Sequence, residues 1–365
     1  MNAPRVALSL LTLVRGGMGG SETYARELIA QLAGSNRADA FTLVPQAAAG
    51  FSGALPERVV PHLNGGASTL NRVSTIVSAS VRAASIRTLM ADSDVVHYPF
   101  TVAVPPPPRG TAFVQTLFDV QHLDLPELFS VTERAFRRRY YEGAAQRADA
   151  VITISEFARR QILHHLPIEP SRVHVAPLGV NADDFEPFAG QRKPFVLYPA
   201  RGWAHKNHSR LIQAMELVRT QHPEFTLVLT GGALESLGDL PEWVDRRGLV
   251  SLEELRELYR SAAVMAFPSL YEGFGLPPLE AMASGCPVAA ADSGSLPEVV
   301  GDAAVTFDAR DVDSIAEGIL AAIDHGADFY AAGLAQARRF TWQRCADVHL
   351  DVYEQTAHAN AHDRR

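Results

Sequence analysis

The chain has 365 residues, 47% hydrophobic and 20% charged, which is long for one domain, suits two packed cores and excludes global disorder. Its net charge of −8 argues against a nucleic-acid partner. Its two cysteines, Cys286 and Cys345, make neither a disulfide framework nor a metal spacing and fit a reducing compartment.

The predicted elements alternate from the start. Arg5 to Leu13 reads as a buried strand. The apolar run there is too short for a membrane span and lacks a signal-peptide layout, so a cytoplasmic location is expected. A glycine-rich turn follows, with Gly16, Gly17, Gly19 and Gly20, and then Glu22–Ala33 has a helical period. Strand, glycine loop and helix start make either a candidate phosphate cradle or a plain tight turn. The G-x-G-x-x-G spacing is absent, which argues against a nicotinamide-dependent oxidoreductase. Further strands are predicted at Phe41–Pro45, Asp94–His97, Ala112–Leu117 and Ala150–Ile154. Helices are predicted at about Thr69–Met90, Thr132–Arg147 and Ser155–His165. This alternation predicts a doubly wound parallel sheet over residues 1–175.

The stretch Leu117–Ser130, which holds Phe118, Asp119 and His122, follows the carboxyl end of a strand, where such sheets place ligands. Arg134, Arg137, Arg138, Arg139, Arg147, Arg159 and Arg160 come next, with Phe136, Tyr140 and Tyr141 among them. They suit an anionic membrane surface or, alternatively, a solvated helix face. Residues 176–194 have proline, glycine and no helical period, and read as a linker.

A second α/β unit is predicted over 195–340. It opens with the strand Phe195–Pro199 and a loop carrying Arg201 and Lys206. Lys193 and Lys206 are the only lysines in a chain that otherwise uses arginine. Two cations near a helix start suit a diphosphate. Ser251 with Glu254 has the capping-box spacing, and Ser295 is expected to cap a later helix. After a buried strand at Ala262–Phe267 comes SLYEGFGLPPLEAMASGC, Ser269–Cys286. It turns on Gly273 and Gly275 and enters a helix at Pro277 and Pro278, where proline has no N–H to lose. Glu272 and Glu280 bracket this turn with seven residues between them. Spacing alone favours the plainer reading, a solvated Glu272 and a helix-stabilising Glu280. A last helix is predicted at about 341–358, and the tail to Arg365 is expected to fray.

The string YEGFGLPPLEAMASGCPV, followed by SLPEVVGDAA, resembles the E-x7-E region of retaining glycosyltransferases of the family-4 type. The likeness runs from the glycine-rich N-terminus to Phe340-Thr341-Trp342. It implies the GT-B fold, two Rossmann-like α/β domains facing across a cleft, with the last helix crossing back to the first domain. It implies transfer of a sugar, in the first instance mannose from a GDP donor, to a glycan or lipid-linked acceptor in bacterial surface polysaccharide assembly. A UDP-sugar donor, or nucleotide binding without turnover, are the alternatives.

By the same resemblance, Arg201 and Lys206 neutralise the leaving diphosphate, helped by backbone N–H groups at Gly273, Phe274, Gly275 and Leu276. Glu272 holds sugar hydroxyls, Glu280 the ribose hydroxyls, and the backbone at Val250 the base. Asp119 joins Lys206, Arg201 and Glu272 in the catalytic set that the resemblance implies, and the glycines at 16, 17, 19 and 20 line the cleft with Phe118 and His122. The family's usual sugar-contacting histidine is replaced here by Phe118, while Asp119 is kept. The resemblance implies no metal or other cofactor.

Overall fold

The computed structural model describes residues 3–63 and 69–363. Residues 1, 2 and 64–68 of the expected first domain, and the last two of the expected frayed tail, lie outside them. Strands that are covered on both faces need nearly continuous apolar runs, and the chain supplies them. In chain order the first elements are β1 (Arg5–Ser9), α1 (Gly20–Ala33), β2 (Asp39–Pro45), β3 (Glu57–Val60), α2 (Thr69–Val81), α3 (Ala83–Thr88), β4 (Val95–Tyr98) and β5 (Ala112–Thr116). They continue with α4 (Gln121–Asp124), α5 (Val131–Arg137), α6 (Gly143–Ala145), β6 (Ala150–Thr153), α7 (Glu156–His165) and β7 (Val173–Val175). The second half holds β8 (Lys193–Pro199), α8 (His208–Gln221), β9 (Thr226–Thr230), β10 (Val244–Gly248), α9 (Leu252–Ser261), β11 (Ala262–Phe267) and α10 (Leu276–Ala283). It ends with β12 (Val288–Ala291), α11 (Leu296–Val300), β13 (Val305–Phe307), α12 (Val312–Asp324), α13 (Gly326–Ala337) and α14 (Trp342–Asp363).

The chain divides into two compact units, Met1–Leu178 with Trp342–Arg365, and Gly179–Thr341. Each is built on one parallel sheet, in the order β3-β2-β1-β4-β5-β6-β7 in the first and β10-β9-β8-β11-β12-β13 in the second. In both, the strand order reverses once, between β1 and β4 and between β8 and β11. Open α/β sheets bind ligands outside the strand ends at such a reversal.

Several local expectations are corrected. The helix expected over 69–90 is interrupted at Arg82. The one expected over 132–147 contains a π-helical turn at Arg138–Glu142. The charged strand β10 and the three-residue β7 gave no hydrophobic period to read, because each lies at a sheet edge and pairs through its backbone. The tail is helical to Asp363 rather than frayed from 357.

Residues 179–194 are not a free linker but part of the second unit. Val180 N donates to Phe340 O at 3.0 Å, and Phe185 is buried. The Arg192 guanidinium explains why this segment is fixed. It donates to the carbonyls of Phe188, Tyr259, Arg260, Ala262, Ser284 and Gly285 at 2.7–3.3 Å. Five of these end or follow α9 and α10, where the last carbonyls have no intrahelical donor and the helix dipole favours a cation.

In the first unit, α14 is fastened to the sheet by a buried polar chain. The Cys345 carbonyl can only accept, so His349 Nδ1, 2.7 Å away, carries the proton. His349 Nε2 then accepts from the Tyr24 hydroxyl at 2.6 Å, and Tyr24 accepts from Thr116 at 2.8 Å. Thr116 accepts from His97 Nε2 at 2.8 Å, and His97 Nδ1 accepts from the Tyr353 hydroxyl at 2.7 Å. Every link points the same way only if both imidazoles are neutral. Burial enforces this: it pushes His97 well below the usual histidine range, with His349 adding to the effect, and it pushes His349 down to about 4. A buried chain with every donor used costs little, whereas one broken link strands several polar groups.

This sets a pH dependence. A histidine depressed in the folded state binds fewer protons there than when unfolded. Its stabilisation is therefore complete above the unfolded value near 6.5 and is lost as pH falls toward the folded value, by up to about 1.4 kcal/mol per pH unit for each group. His122, His174 and His208 are also depressed by burial and add the same sign. The urea midpoint is expected to drop clearly between pH 7.5 and pH 5.5. His349→Gln, less stable at pH 7.5, should show a smaller drop, and an equal one would contradict the neutral chain.

Candidate functional site

In the second unit the loop after β8 and the loop after β11 leave neighbouring strands at the reversal of strand order. Gly202 lets the first loop lie against the turn after β9, since a Cβ there would come 2.1 Å from the Ala233 carbonyl oxygen. Arg201 lies with its guanidinium 5.3 Å from the Trp203 ring. Asn207 closes this loop in a left-handed conformation, φ 62°, that asparagine tolerates better than most residues. Its amide donates to Pro268 O at 3.1 Å and Ala309 O at 2.7 Å. The buried Tyr198 hydroxyl donates to Lys206 O at 2.7 Å. Lys206 is therefore fixed through its backbone while its side chain reaches across to the second loop.

There Lys206 Nζ meets Glu272 Oε1 at 2.5 Å, with side chains 14% and 13% exposed. The Glu272 backbone is held in turn by Gly294 and Ser295. The single Ser295 hydroxyl proton lies between Glu272 O, at 3.0 Å from Oγ, and Phe274 O, at 2.5 Å. Gly294, at φ 62°, passes so close that a Cβ would sit 2.7 Å from Glu272 O. Ser295 thus does not cap α11 with its side chain, as the sequence suggested; its hydroxyl holds the glutamate loop instead. Gly275, at φ 123°, then opens α10 with prolines in its first turn. Pro277 and Pro278 carry no N–H, so the donor that this helix start offers an anion is the Leu276 N–H, aided by the dipole. The Phe274 side chain points away from this face, buried edge-on to Phe340 at 5.7 Å.

Glu280 is half-buried on α10 and accepts a hydrogen bond from the Tyr259 hydroxyl of α9 at 2.8 Å. Burial lifts its carboxyl above the usual carboxylate range, opposed by the Tyr259 bond and the nearby Arg256. Burial also pushes the Tyr259 phenol well up, so Tyr259 keeps its proton and donates. Val250 is half-buried between β10 and α9, next to Leu249, which is 78% exposed. Ser251 caps α9 by accepting from Glu254 N at 3.1 Å, but the Glu254 carboxylate turns to Arg247 at 3.2 Å, so the expected capping box is half formed.

In the first unit, Gly16 and Gly19 have positive φ, and Gly20 begins α1. A Cβ on Gly17 would meet Val14 at 2.9 Å. Glu22 Oε2 accepts from Gly16 N at 2.7 Å, so an acid of this chain lies against the loop. Phe118, half-buried, stands edge-on to Tyr24 with centroids 5.3 Å apart. Asp119 Oδ1 accepts from Gln121 N at 3.0 Å and opens α4. His122 is packed rather than open to a ligand: it is 1% exposed and pairs with Glu142 at 3.1 Å.

Sequence reasoning missed Tyr259, Gly294 and the loop-holding role of Ser295. An aromatic residue and a short Ser/Gly turn carry no spacing signal of their own. It also gave no sign of a cavity of about 640 Å³ at the carboxyl ends of β12 and β13, lined by Asp292, Ser293, Asp308, Arg310 and Ser314 among others. Lys206, Glu272 and Glu280 do not line it, although Ala309, whose carbonyl accepts from Asn207, does. Among the described residues no helix is long and apolar enough to cross a membrane.

Residues 180–333 match the family described as glycosyl transferases group 1, and residues 18–184 match glycosyltransferase family 4. O-antigen chain mannosyltransferase B of Escherichia coli is 30% identical over 272 residues, 68% of this chain and 71% of that protein. An MMP alpha-(1->4)-mannosyltransferase of Mycolicibacterium hassiacum is 32% identical over 240 residues, 60% of this chain and 58% of that protein. Among solved structures, sucrose-phosphate synthase from Thermosynechococcus elongatus superposes with a TM-score of 0.76 at 20% identity, covering 98% of this chain and all of that one. Anabaena HepE, solved with UDP and glucose, gives 0.72 at 19% identity over 96% of this chain and 100% of its own. With two doubly wound parallel sheets and both family regions in order, the chain belongs to the family-4, group 1 glycosyltransferases of the GT-B fold.

Proposed function

We propose that this chain is a retaining, metal-independent hexosyltransferase that moves mannose from GDP-mannose to a hydroxyl of a glycan or lipid-linked acceptor in surface polysaccharide assembly. The observation that carries the reading is the 2.5 Å contact of Lys206 with Glu272 beside the start of α10. The mannosyltransferase relatives support the choice of sugar. As the bond from C1 to the diphosphate breaks, negative charge grows on the phosphate oxygen. Lys206, Arg201 and the α10 N-terminus neutralise it, and Glu272 takes the sugar hydroxyls. The acceptor oxygen bonds to C1 on the same face, and its proton passes to the departing phosphate oxygen. No side chain is assigned as a covalent nucleophile. Asp119 and the glycine loop at 16–20 belong to the acceptor side of this reading. A UDP-sugar donor is the second reading, favoured by the structural neighbour solved with UDP-glucose.

Steady-state kinetics with GDP-mannose and a mannose-accepting glycan test the assignment. Lys206→Ala is expected to lower kcat by about 10²–10³-fold with KM little changed. Glu280→Ala is expected chiefly to raise KM for the donor. A wild-type chain that binds the donor nucleotide and transfers nothing would contradict the reading and leave a binding protein.

The proposal includes peripheral contact with an anionic membrane on the cytoplasmic side. Arg134, Arg138, Arg139 and Arg160 are exposed, whereas Phe136, Tyr140 and Tyr141 pack against the core. The attraction is therefore by charge. Co-sedimentation with phosphatidylglycerol vesicles should be lost at about 0.5 M salt, where screening is strong. Binding that survives both salt and Arg-to-Ala changes would contradict it.

A further inference from the structure

We infer that Tyr259 is a positioning residue that orients the Glu280 carboxylate toward the adjacent ribose hydroxyls of the donor nucleotide, braced from behind by the turn at Ala182–Asp184 and by Phe185. This deepens the donor-site reading above and rests on it.

Tyr259 is fully buried on α9, and its hydroxyl reaches Glu280 Oε2 on α10 at 2.8 Å. A phenylalanine would fill the same space without a polar atom to satisfy, so the hydroxyl needs a reason to be there. The geometry gives one. A carboxylate taken out of water is costly without donors, and a single fixed donor on Oε2 also sets the plane of the group. That leaves the other oxygen to face an incoming pair of hydroxyls.

The brace comes from the segment that enters the second unit. The Phe185 ring stands 6.3 Å from the Tyr259 ring at 64°, and the Arg256 guanidinium lies 5.5 Å from Phe185. Asp184 Oδ2 holds Arg256 Nη2 at 2.9 Å. Arg256 is three residues before Tyr259, on the same face of α9, and adds positive charge toward Glu280. The charged and titratable groups around the carboxylate are thus Tyr259 and Arg256 from α9 and Asp184 from the turn. Arg192 and the Cys286 thiol lie beyond them at the helix ends.

Calorimetric titration of GDP and of UDP between pH 5 and 8 tests this on wild type, Tyr259→Phe, Glu280→Gln and the double variant. Wild-type affinity is expected to fall in acid as Glu280 takes up a proton. Tyr259→Phe is expected to weaken binding about tenfold at pH 7.5 and to move that fall to higher pH, because the carboxylate loses its donor. In the Glu280→Gln background, Tyr259→Phe should add little. In turnover, Tyr259→Phe should raise KM for the donor and spare kcat. An unchanged affinity and pH profile would overturn the inference, as would an equal loss in the Glu280→Gln background, which marks a merely structural role. If Tyr259→Phe does not fold, 3-fluorotyrosine at position 259 gives a stronger donor of nearly the same shape. It should move the acid fall to lower pH, and no movement overturns the inference. A wild-type chain that binds neither nucleotide overturns the donor-site reading itself, and this inference with it.

Discussion

The contact between the Lys206 ammonium and the Glu272 carboxylate is the interaction around which the second unit is arranged. The two residues are 66 positions apart in the chain, so local sequence cannot bring them together. The sheet does. β8 and β11 are neighbours, run parallel and end at the same edge, and their following loops diverge at the reversal of strand order. Most of the unusual backbone nearby serves that meeting: left-handed Asn207, the close pass of Gly294, and the two carbonyls held by Ser295. A partly buried ion pair loses hydration on both charges, and its attraction only partly offsets that loss. Its value here is orientation. It keeps a flexible lysine aimed at the place where an anion would sit, beside the start of α10.

A second layer supports the first. Tyr259 holds Glu280, and the Arg192 guanidinium ties the ends of α9 and α10 to the segment that enters the unit. From Gly179 on, that segment is therefore part of the second unit in structural terms, not a tether. In the first unit the equivalent support is the directed chain from Tyr353 through His97, Thr116 and Tyr24 to His349. It joins α14 to the strand that leads to Phe118 and to the helix that follows the glycine loop. Tyr24 does double service, since its ring also packs against Phe118.

Much of this was legible in the sequence, and the reasons are physical. Buried parallel strands such as β1, β8 and β11 read as unbroken apolar runs, and glycine or proline punctuates their loops. Lys206 stands out because it is one of only two lysines in the chain, and the E-x7-E turn because glycines and prolines lie between two carboxylates at a fixed spacing. Edge strands β7 and β10 did not show, because β7 has only three residues and β10 carries exposed Asp245, Arg246 and Arg247 in its middle and pairs through its backbone. The 176–194 stretch read as a linker because its fixing comes from one arginine bonded to distant carbonyls, which leaves no local period. His122 matched a motif yet is packed inside, since a motif records residue type and not direction. Tyr259 stayed hidden for the opposite reason: an aromatic on a helix reads as core, which it is, and only the three-dimensional contact shows what its hydroxyl does.

The measurement that bears most directly on the central claim is a thermal shift with UDP, GDP and NAD, each at about a hundred times a plausible dissociation constant. Binding at that saturation adds about 2.7 kcal/mol to the folded state, which is several degrees for a domain of this size. The account predicts a rise with one nucleoside diphosphate and none with NAD, and the rise should be lost in Glu280→Ala. A rise with NAD alone, or none with either nucleoside diphosphate, would contradict it.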